Sequence, residues 1–305
     1  MDFRQLEAFV STVEHKSFSA AAAALYLSQP TISSHVHSLE KELQVQLIHR
    51  TTKRFEVTSE GQRLYEYAVA LLQLQKKAIN ELSDAPKKEL HIGASSVPGQ
   101  CILPQILGNY RQLCPDVCFQ VVFSDSLDII QQVSNGTLDI GLVGTTAESR
   151  CAFVPFVSDE LVVAVPNTPH YQELISSGTP LSQLLKEPII MRTDHSGTMR
   201  ETQQFLQRLQ ISMDDLNIIA YMNDAAAIQN CVIQGLGVSI MSRQTVEASA
   251  QRGDLLMVPL GEHALLRKLY IVYRESEFLP RTSLDFIRFF AEQFPEAASC
   301  TALLP

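Results

Sequence analysis

Ser28-Gln29-Pro30-Thr31-Ile32-Ser33-Ser34-His35-Val36-His37-Ser38-Leu39-Glu40-Lys41-Glu42-Leu43, residues 28–43, decides how the first part of this 305-residue chain folds. Ser28 has the side chain of a helix N-cap. Pro30 falls in the first turn, where a missing N–H costs nothing because that N–H has no intrahelical acceptor. Ile32, Val36, Leu39 and Leu43 follow at intervals of four, three and four, which predicts one buried helical stripe. The opposite face carries Gln29, Thr31, Ser33, Ser34, His35 and His37. A face meant only for water is usually built from Lys and Glu. Short amide, hydroxyl and imidazole groups suit the base edges and phosphates of a DNA major groove instead.

Upstream, Ser17-Phe18-Ser19 opens an alanine run, Ala20 to Ala24, closed by Leu25-Tyr26-Leu27. Small side chains let two helices approach across a tight turn, as a helix-turn-helix requires. Phe3, Leu6, Phe9, Val10 and Val13 share a face of a further helix over residues 1–15. Downstream, Val45-Gln46-Leu47-Ile48 leads into a predicted two-stranded wing, with Arg50, Lys53 and Arg54 near its tip and Phe55 and Val57 returning. Three cations without an acid in residues 49–54 suit DNA phosphates, with a solvated basic loop as the competing reading.

A single long helix is predicted from Thr58 to about Asp84, capped by Ser59 with Gln62 or by Thr58 itself. Leu64, Tyr67, Leu71, Leu74 and Ala78 alternate by three and four, a seam of coiled-coil type. So small a domain offers this helix little to pack on, so a second copy of the chain is the expected partner, with the N-terminal helix as the alternative. A symmetric dimer of such readers binds pseudo-palindromic DNA. Ser83-Asp84-Ala85-Pro86-Lys87-Lys88, polar and interrupted by proline, marks the domain boundary. The expected division is therefore 1–57, 58–84 and 88–305.

After the boundary, strand and helix patterns alternate. Strands are predicted at 90–95, 117–123, 138–143, 153–156, 160–165, 188–191, 217–221, 237–240 and 269–273. Helices fall at 100–114, 127–134, 198–209, 225–234 and 281–294, and the tail from Pro295 is read as loose. Such alternation indicates an α/β fold with parallel sheets. Ligands in such sheets bind beyond the carboxyl ends of strands. Ser95-Ser96-Val97, Ser124 with Asp125 and Ser126, and Thr193 through Thr198 occupy such positions. Ser196-Gly197-Thr198 opens a helix, where hydroxyls and unpaired N–H groups suit a carboxylate or an oxyanion; ordinary N-capping explains the same residues. Thr145 and Asn223 are further candidates, whereas Gly235 and Gly237 are read as turn glycines, there being no G-x-G-x-x-G or Walker pattern.

Net charge is −9, yet residues 1–84 hold nine Lys or Arg against ten Asp or Glu, so the acidity belongs to the rest, with fifteen against twenty-three. A basic wing can hold phosphates while the remainder repels them at long range. No apolar run approaches the ~20 residues that span a bilayer, and there is no signal-peptide pattern, so a cytoplasmic location without membrane contact is expected. The six cysteines show no C-x-x-C spacing and no accompanying histidines, which points to buried thiols rather than a metal centre. No G-x-S-x-G elbow, H-E-x-x-H or paired carboxylates at a strand end occur, and neither catalysis nor a cofactor is expected.

Phe3-Arg4-Gln5-Leu6-Glu7-Ala8-Phe9, Ser17 to Ala22, Ser28 to Ser33, Leu39-Glu40, Arg50 to Arg54 and Thr58-Ser59-Glu60-Gly61 together resemble the amino-terminal domain of LysR-type transcriptional regulators. Gly136 to Leu142 and Gln234-Gly235-Leu236-Gly237-Val238 match the family's effector domain. The resemblance implies an α/β protein with an N-terminal winged helix-turn-helix, a linker helix and a two-subdomain, periplasmic-binding-protein-like effector domain. Subdomain I would take about 88–161 and 268–305, and subdomain II about 162–267. It further implies promoter DNA and a small-molecule effector as partners (the helix start at Ser196 to Thr198 makes that effector an anion), self-association as dimer and tetramer, and contact with RNA polymerase in an activator. Ser34 stands where the family often has Arg or Lys, Ile48 where it usually has Phe, and Ser242 where proline is common. The rival from another class is a solute-binding module whose N-terminal domain serves only oligomerisation.

Overall fold

The structure is a computed structural model. It describes residues 1–51, 54–82, 88–193, 196–260, 266–274 and 279–297, with the side chains at 50, 51, 54, 77, 80 and 81 outside that description. Two compact units meet in the sequence at Lys87/Lys88.

The first unit runs α1 (Phe3–His15), α2 (Phe18–Ala24), α3 (Gln29–Leu43), β1 (Ile48–Thr51), β2 (Arg54–Val57) and α4 (Ser59–Glu81). Each of the first three helices is capped by the side chain before it. Asp2 accepts from Gln5 N, Ser17 from Ala20 N and Ser28 from Thr31 N. Leu6, Phe9, Ala21, Ile32, Val36, Leu39 and Leu47 form the core. Leu43 does not join it. At 37% exposure it stands on the last turn of α3, just before Gln44 ends the helix in a left-handed conformation with φ 56°. Glu40 ties α3 to the wing, its Oε1 accepting from Leu47 N at 3.0 Å and Ile48 N at 3.3 Å. The wing strands pair antiparallel, Ile48 opposite Val57.

Of the two caps proposed for α4, Thr58 serves. Its Oγ1 accepts from Gly61 N at 2.9 Å and donates to Gln46 O at 2.7 Å, so one buried hydroxyl both starts the helix and holds the segment before the wing. Thr58→Ala should cost about 0.5–2 kcal/mol of stability in this unit. A truncate-and-measure comparison in urea checks it: an unchanged midpoint would show the hydroxyl to be dispensable. Leu64, Tyr65, Ala68, Val69 and Leu72 of α4 pack on the core, while Tyr67, Leu71, Leu74 and Ala78 are exposed.

The second unit continues with β3 (Glu89–Ala94), a π-type turn (Pro98–Ile102), α5 (Leu103–Leu113), β4 (Cys118–Phe123), α6 (Ser126–Ser134), β5 (Ile140–Val143) and β6 (Cys151–Pro166). Then come α7 (Pro169–Ser176), α8 (Leu181–Leu184), β7 (Ile189–Arg192), α9 (Gly197–Arg208), β8 (Ile218–Met222) and α10 (Ala225–Ile233). The chain closes with β9 (Ser239–Ser242), α11 (Arg243–Gln251), β10 (Leu255–Pro259), β11 (Leu266–Arg274) and α12 (Arg281–Gln293).

Strands β4, β3 and β5 are parallel neighbours, and β11 lies antiparallel between β5 and β6. The two strands expected at 153–156 and 160–165 are one. The first part of β6 pairs with β11, and its last residues pair with β9 and β10, so one strand serves two lobes. The polar Ser158-Asp159-Glu160 between two apolar runs hid this, because Asp159 is buried against Arg267 of β11 and the strand passes straight through it. Helices α7 and α8, strand β10 and the π-type turn were not expected either. One lobe encloses Leu90, Ile92, Ile140, Leu142, Phe156, Ile271, Phe286 and Phe290, and the other Leu161, Val163, Ile189, Met191, Phe205 and Ile240.

Gly235 does take the left-handed region, with φ 82°, and a Cβ on Gly237 would lie 2.3 Å from Pro188 O, so both serve the approach to β9. The cysteines depart from expectation: Cys151 is buried, Cys101, Cys114 and Cys231 are half-buried, Cys118 is exposed, and Cys300 is outside the described residues. The expected loose tail does not start at Pro295, since Ala297 is fully buried, and residues 298–305 lie outside the described residues. No described helix is long and apolar enough to cross a membrane.

Candidate functional site

In the first unit, the sequence from Ser17 to Leu43 builds a helix-turn-helix. Buried Ala21 and Ala22 present no bulk between α2 and α3. The turn is closed by Tyr26 at φ 56°, whose ring is 95% exposed beside the start of α3. Sequence reasoning passed over that tyrosine, treating it as the hydrophobic end of the alanine helix. Gln29, Pro30, Ser34 and His37 are exposed on α3, whereas Thr31, Ser33 and His35 are half-buried. Ser28 is committed twice, as cap to Thr31 N and through Oγ at 2.8 Å from Thr31 Oγ1. Thr31 therefore offers a base less than its sequence position promised, while Gln29 and Ser34 stand clear. Strand pairing sets Arg50 opposite Phe55 and Arg54 opposite Thr51. The arginine side chains, and Lys53 entirely, lie outside the described residues.

In the second unit, a small cleft, open to solvent, lies at the carboxyl ends of β3 and β7. Ser95, Ser96, Val97, Ser196, Gly197 and Thr198 line it. Ser124 and Thr193 do not line it. Their backbone N–H groups bond to Ala94 O and Met222 O, and the neighbours Asp125 and Ser126 reach the cleft instead. Thr145 accepts from Arg200 Nη1 at 3.3 Å outside the lining, and Asn223 is exposed beyond the end of β8. Asp194 and His195 are outside the described residues.

The residues that dominate the cleft are two arginines absent from the sequence-level candidates. Arg267, from β11, is buried and fully engaged. Its Nε and Nη2 both lie 2.8 Å from Asp159 Oδ2, and its Nη1 donates to Thr198 Oγ1 at 3.2 Å. Asp159 also accepts from Ser242 Oγ at 2.6 Å, which gives the serine standing in place of proline a role. Arg192, the last residue of β7, is only 5% exposed. Its Nη2 donates to Ser96 Oγ at 3.1 Å, but Nε and Nη1 are buried with no partner. Burial pushes its pKa down, opposed by the nearby carboxylates of Asp125 and Asp224 and reinforced by Arg267. A buried guanidinium with unmade hydrogen bonds is costly unless something anionic completes them. The only sequence signal was the cation itself, at the end of the otherwise apolar Ile189-Ile190-Met191-Arg192.

Helix starts reinforce the positive field. The chain turns helical at Ser96, α6 begins at Ser126, and α9 begins at Gly197 behind its cap Ser196, whose Oγ accepts from Met199 N at 3.0 Å. Ser196 thus caps the helix and lines the cleft at once, together with Gly197 and Thr198 of the first turn, whose N–H groups have no intrahelical acceptor. A Cβ on Gly197 would sit 3.3 Å from Gly144 O and 3.7 Å from Arg267 Nη1, so glycine keeps this mouth open.

A winged helix-turn-helix joined in one chain to a two-lobed α/β unit with a cationic cleft defines a class of one-component regulators, in which a ligand-binding module governs a DNA reader. Residues 3–62 match the bacterial regulatory helix-turn-helix protein, lysR family, and residues 83–295 match the LysR substrate binding domain. The chain belongs to the LysR family and is a DNA-binding transcriptional regulator with an effector-binding domain. It is 32% identical to the uncharacterized HTH-type transcriptional regulator YeiE of Escherichia coli (strain K12), over 93% of this chain and 95% of that one. Identity to the HTH-type transcriptional regulator CysL of Bacillus subtilis is 29%, over 90% of this chain and 91% of that one. Full-length CbnR in complex with its target DNA shares the fold, with a TM-score of 0.67 at 20% identity, covering 97% of this chain and 100% of CbnR.

Proposed function

We propose that this protein is an anion-responsive regulator that reads pseudo-palindromic promoter DNA as a symmetric dimer, two dimers associating into a tetramer. Residues 1–57 form the reader, 58–84 the linker and 88–305 the effector domain, with subdomain I at about 88–161 and 268–305 and subdomain II at about 162–267. Gln29, Ser33, Ser34 and His37 touch bases, and Ser28, Pro30, Thr31, Arg50, Lys53 and Arg54 lie along the phosphates. Tyr67, Leu71, Leu74 and Ala78, with Leu64 at the core edge, form the dimer seam. The protein works in the cytoplasm and contacts RNA polymerase where it activates. No catalytic step is assigned to it.

The observation that carries the effector reading is Arg192, buried with two unmade hydrogen bonds at a cleft ringed by hydroxyls and helix starts. Two exposed leucines, Leu71 and Leu74, with Tyr67 at 59% exposure, support the seam. Regulation requires that the effector bind one arrangement of the dimer more tightly than the other, since equal affinity would shift nothing. The test combines both ends of the chain. Gln29→Ala should alter which operator is preferred, by about 1–3 kcal/mol per lost base contact. The double change Leu71→Glu, Leu74→Glu should yield monomers in sedimentation and remove cooperative operator binding. A Gln29→Ala protein with an unaltered sequence ranking, or a charged-seam variant that still sediments as the wild type, would overturn the corresponding assignment. A solute-binding module whose N-terminal domain serves only oligomerisation would also fall to monomers with the charged seam but would show no operator preference for Gln29→Ala to change.

A further inference from the structure

The cleft contains a feature that a plain anion site does not need. Asp125 follows β4 and precedes α6, and its half-exposed side chain is in the lining with Arg192 and Arg267. Its carboxylate makes no hydrogen bond among the described residues, although its backbone carbonyl accepts from Ile129 N. Asp159, by contrast, is consumed by Arg267 and Ser242 on the other side. The cleft therefore offers two kinds of open valence. Arg192 Nε and Nη1 and the helix-start N–H groups are donors that want oxygen. Asp125 offers only acceptors and a negative charge, which repels any ligand that is oxygen and charge on every side. The rest of the lining is hydroxyl and glycine with Val97 and Pro98, and no described aromatic side chain lines it, so nothing there selects a flat, apolar body.

Resting on the anion reading given above, we infer that the effector is a small anion carrying its own hydrogen-bond donor, its oxygens held by Arg192 and the start of α9 and its donor held by Asp125. Two chemistries satisfy this: a protonated oxyanion of the hydrogen-phosphate type, and a zwitterion of the α-amino-acid type. A fully deprotonated oxyanion such as sulfate does not. It has nothing to give Asp125 and would leave that carboxylate facing negative oxygen. Sites that hydrogen-bond a ligand donor reject analogues lacking it far more strongly than apolar pockets reject a missing methylene.

The experiment is a melting and calorimetric titration of the full chain with phosphate, with serine and with sulfate near neutral pH, where phosphate keeps at least one proton. The same titrations are run on Asp125→Asn and on Arg192→Gln. Wild type should be stabilised by phosphate or by serine, whichever chemistry applies, and should bind sulfate at least about tenfold more weakly. Asp125→Asn is nearly isosteric and replaces one acceptor with a donor. Its unliganded melting point serves as the folding control, and it should gain sulfate binding while losing preference for the donor-bearing ligand. Arg192→Gln should respond to none of the three. If sulfate stabilises wild type as well as phosphate does, and Asp125→Asn leaves the ranking unaltered, the donor requirement is overturned while the anion site stands. If no anion moves wild type at all, both readings fall together.

Discussion

Asp159→Ala should destabilise the second unit by about 3–5 kcal/mol, because it strands a buried arginine. Asp159 is 1% exposed and Arg267 6%. One carboxylate receives two guanidinium N–H groups and the Ser242 hydroxyl, joining β6, β11 and the start of α11. Removing it leaves Arg267 desolvated without a counter-charge and Ser242 without an acceptor. The expected result is a large drop in the urea midpoint followed by far-UV circular dichroism, the chain having no tryptophan. Replacing the pair together, Asp159→Leu with Arg267→Met, should recover most of the loss, since the penalty comes from an orphaned charge rather than from the missing attraction. A single variant as stable as the wild type would mean that water reaches Arg267 and that the pair is not sealed from solvent.

Arg192→Met should act in the opposite direction on stability and abolish the ligand response. The guanidinium is buried with Nε and Nη1 unsatisfied. Taking away buried donors that lack partners returns about 1–3 kcal/mol, and methionine fills much of the same volume. The unliganded protein should therefore melt higher than the wild type, yet no anion should raise its melting point further. The pH dependence has a definite sign. The folded-state pKa of Arg192 lies below its unfolded value, chiefly through desolvation, so the folded state carries a penalty wherever the unfolded arginine is charged. That penalty is fully present throughout the neutral and acidic range and eases only as alkaline pH approaches the lowered value. The gain from Arg192→Met should thus be flat between mildly acidic and neutral buffers. A variant that melts lower than the wild type, or that keeps its anion response, would remove Arg192 from the site.

The N-terminal unit was legible in the sequence because its information is local. Ser17 and Ser28 cap their helices, and the spacing of Ile32, Val36 and Leu39 fixes which face of α3 is inside. Such signals act within a turn or two of helix, where chain neighbours are also spatial neighbours. Leu43 shows the limit: periodicity continued past the point where the core ended. The α/β texture of the remainder was also readable, as were the serine- and threonine-bearing loops at strand ends. The unity of β6 was not, because Ser158-Asp159-Glu160 looks like a polar break until Asp159 meets Arg267 of another strand.

The cleft's electrostatics lay furthest from the sequence. Arg192 and Arg267 are 75 positions apart, and Asp159 lies on a third segment. Ser96, Ser196 and Thr198 announced themselves through hydroxyls next to helix starts, which is a local property. Whether an arginine is paired, and by what, depends on which strands end side by side. By itself, then, the sequence determined the DNA-reading helix, its caps, the α/β alternation and the loops that line the cleft. Only the tertiary structure decided that Arg267 is neutralised by Asp159 while Arg192 is left with open donors. Charge pairing depends on distance in space, and the fold alone sets that distance.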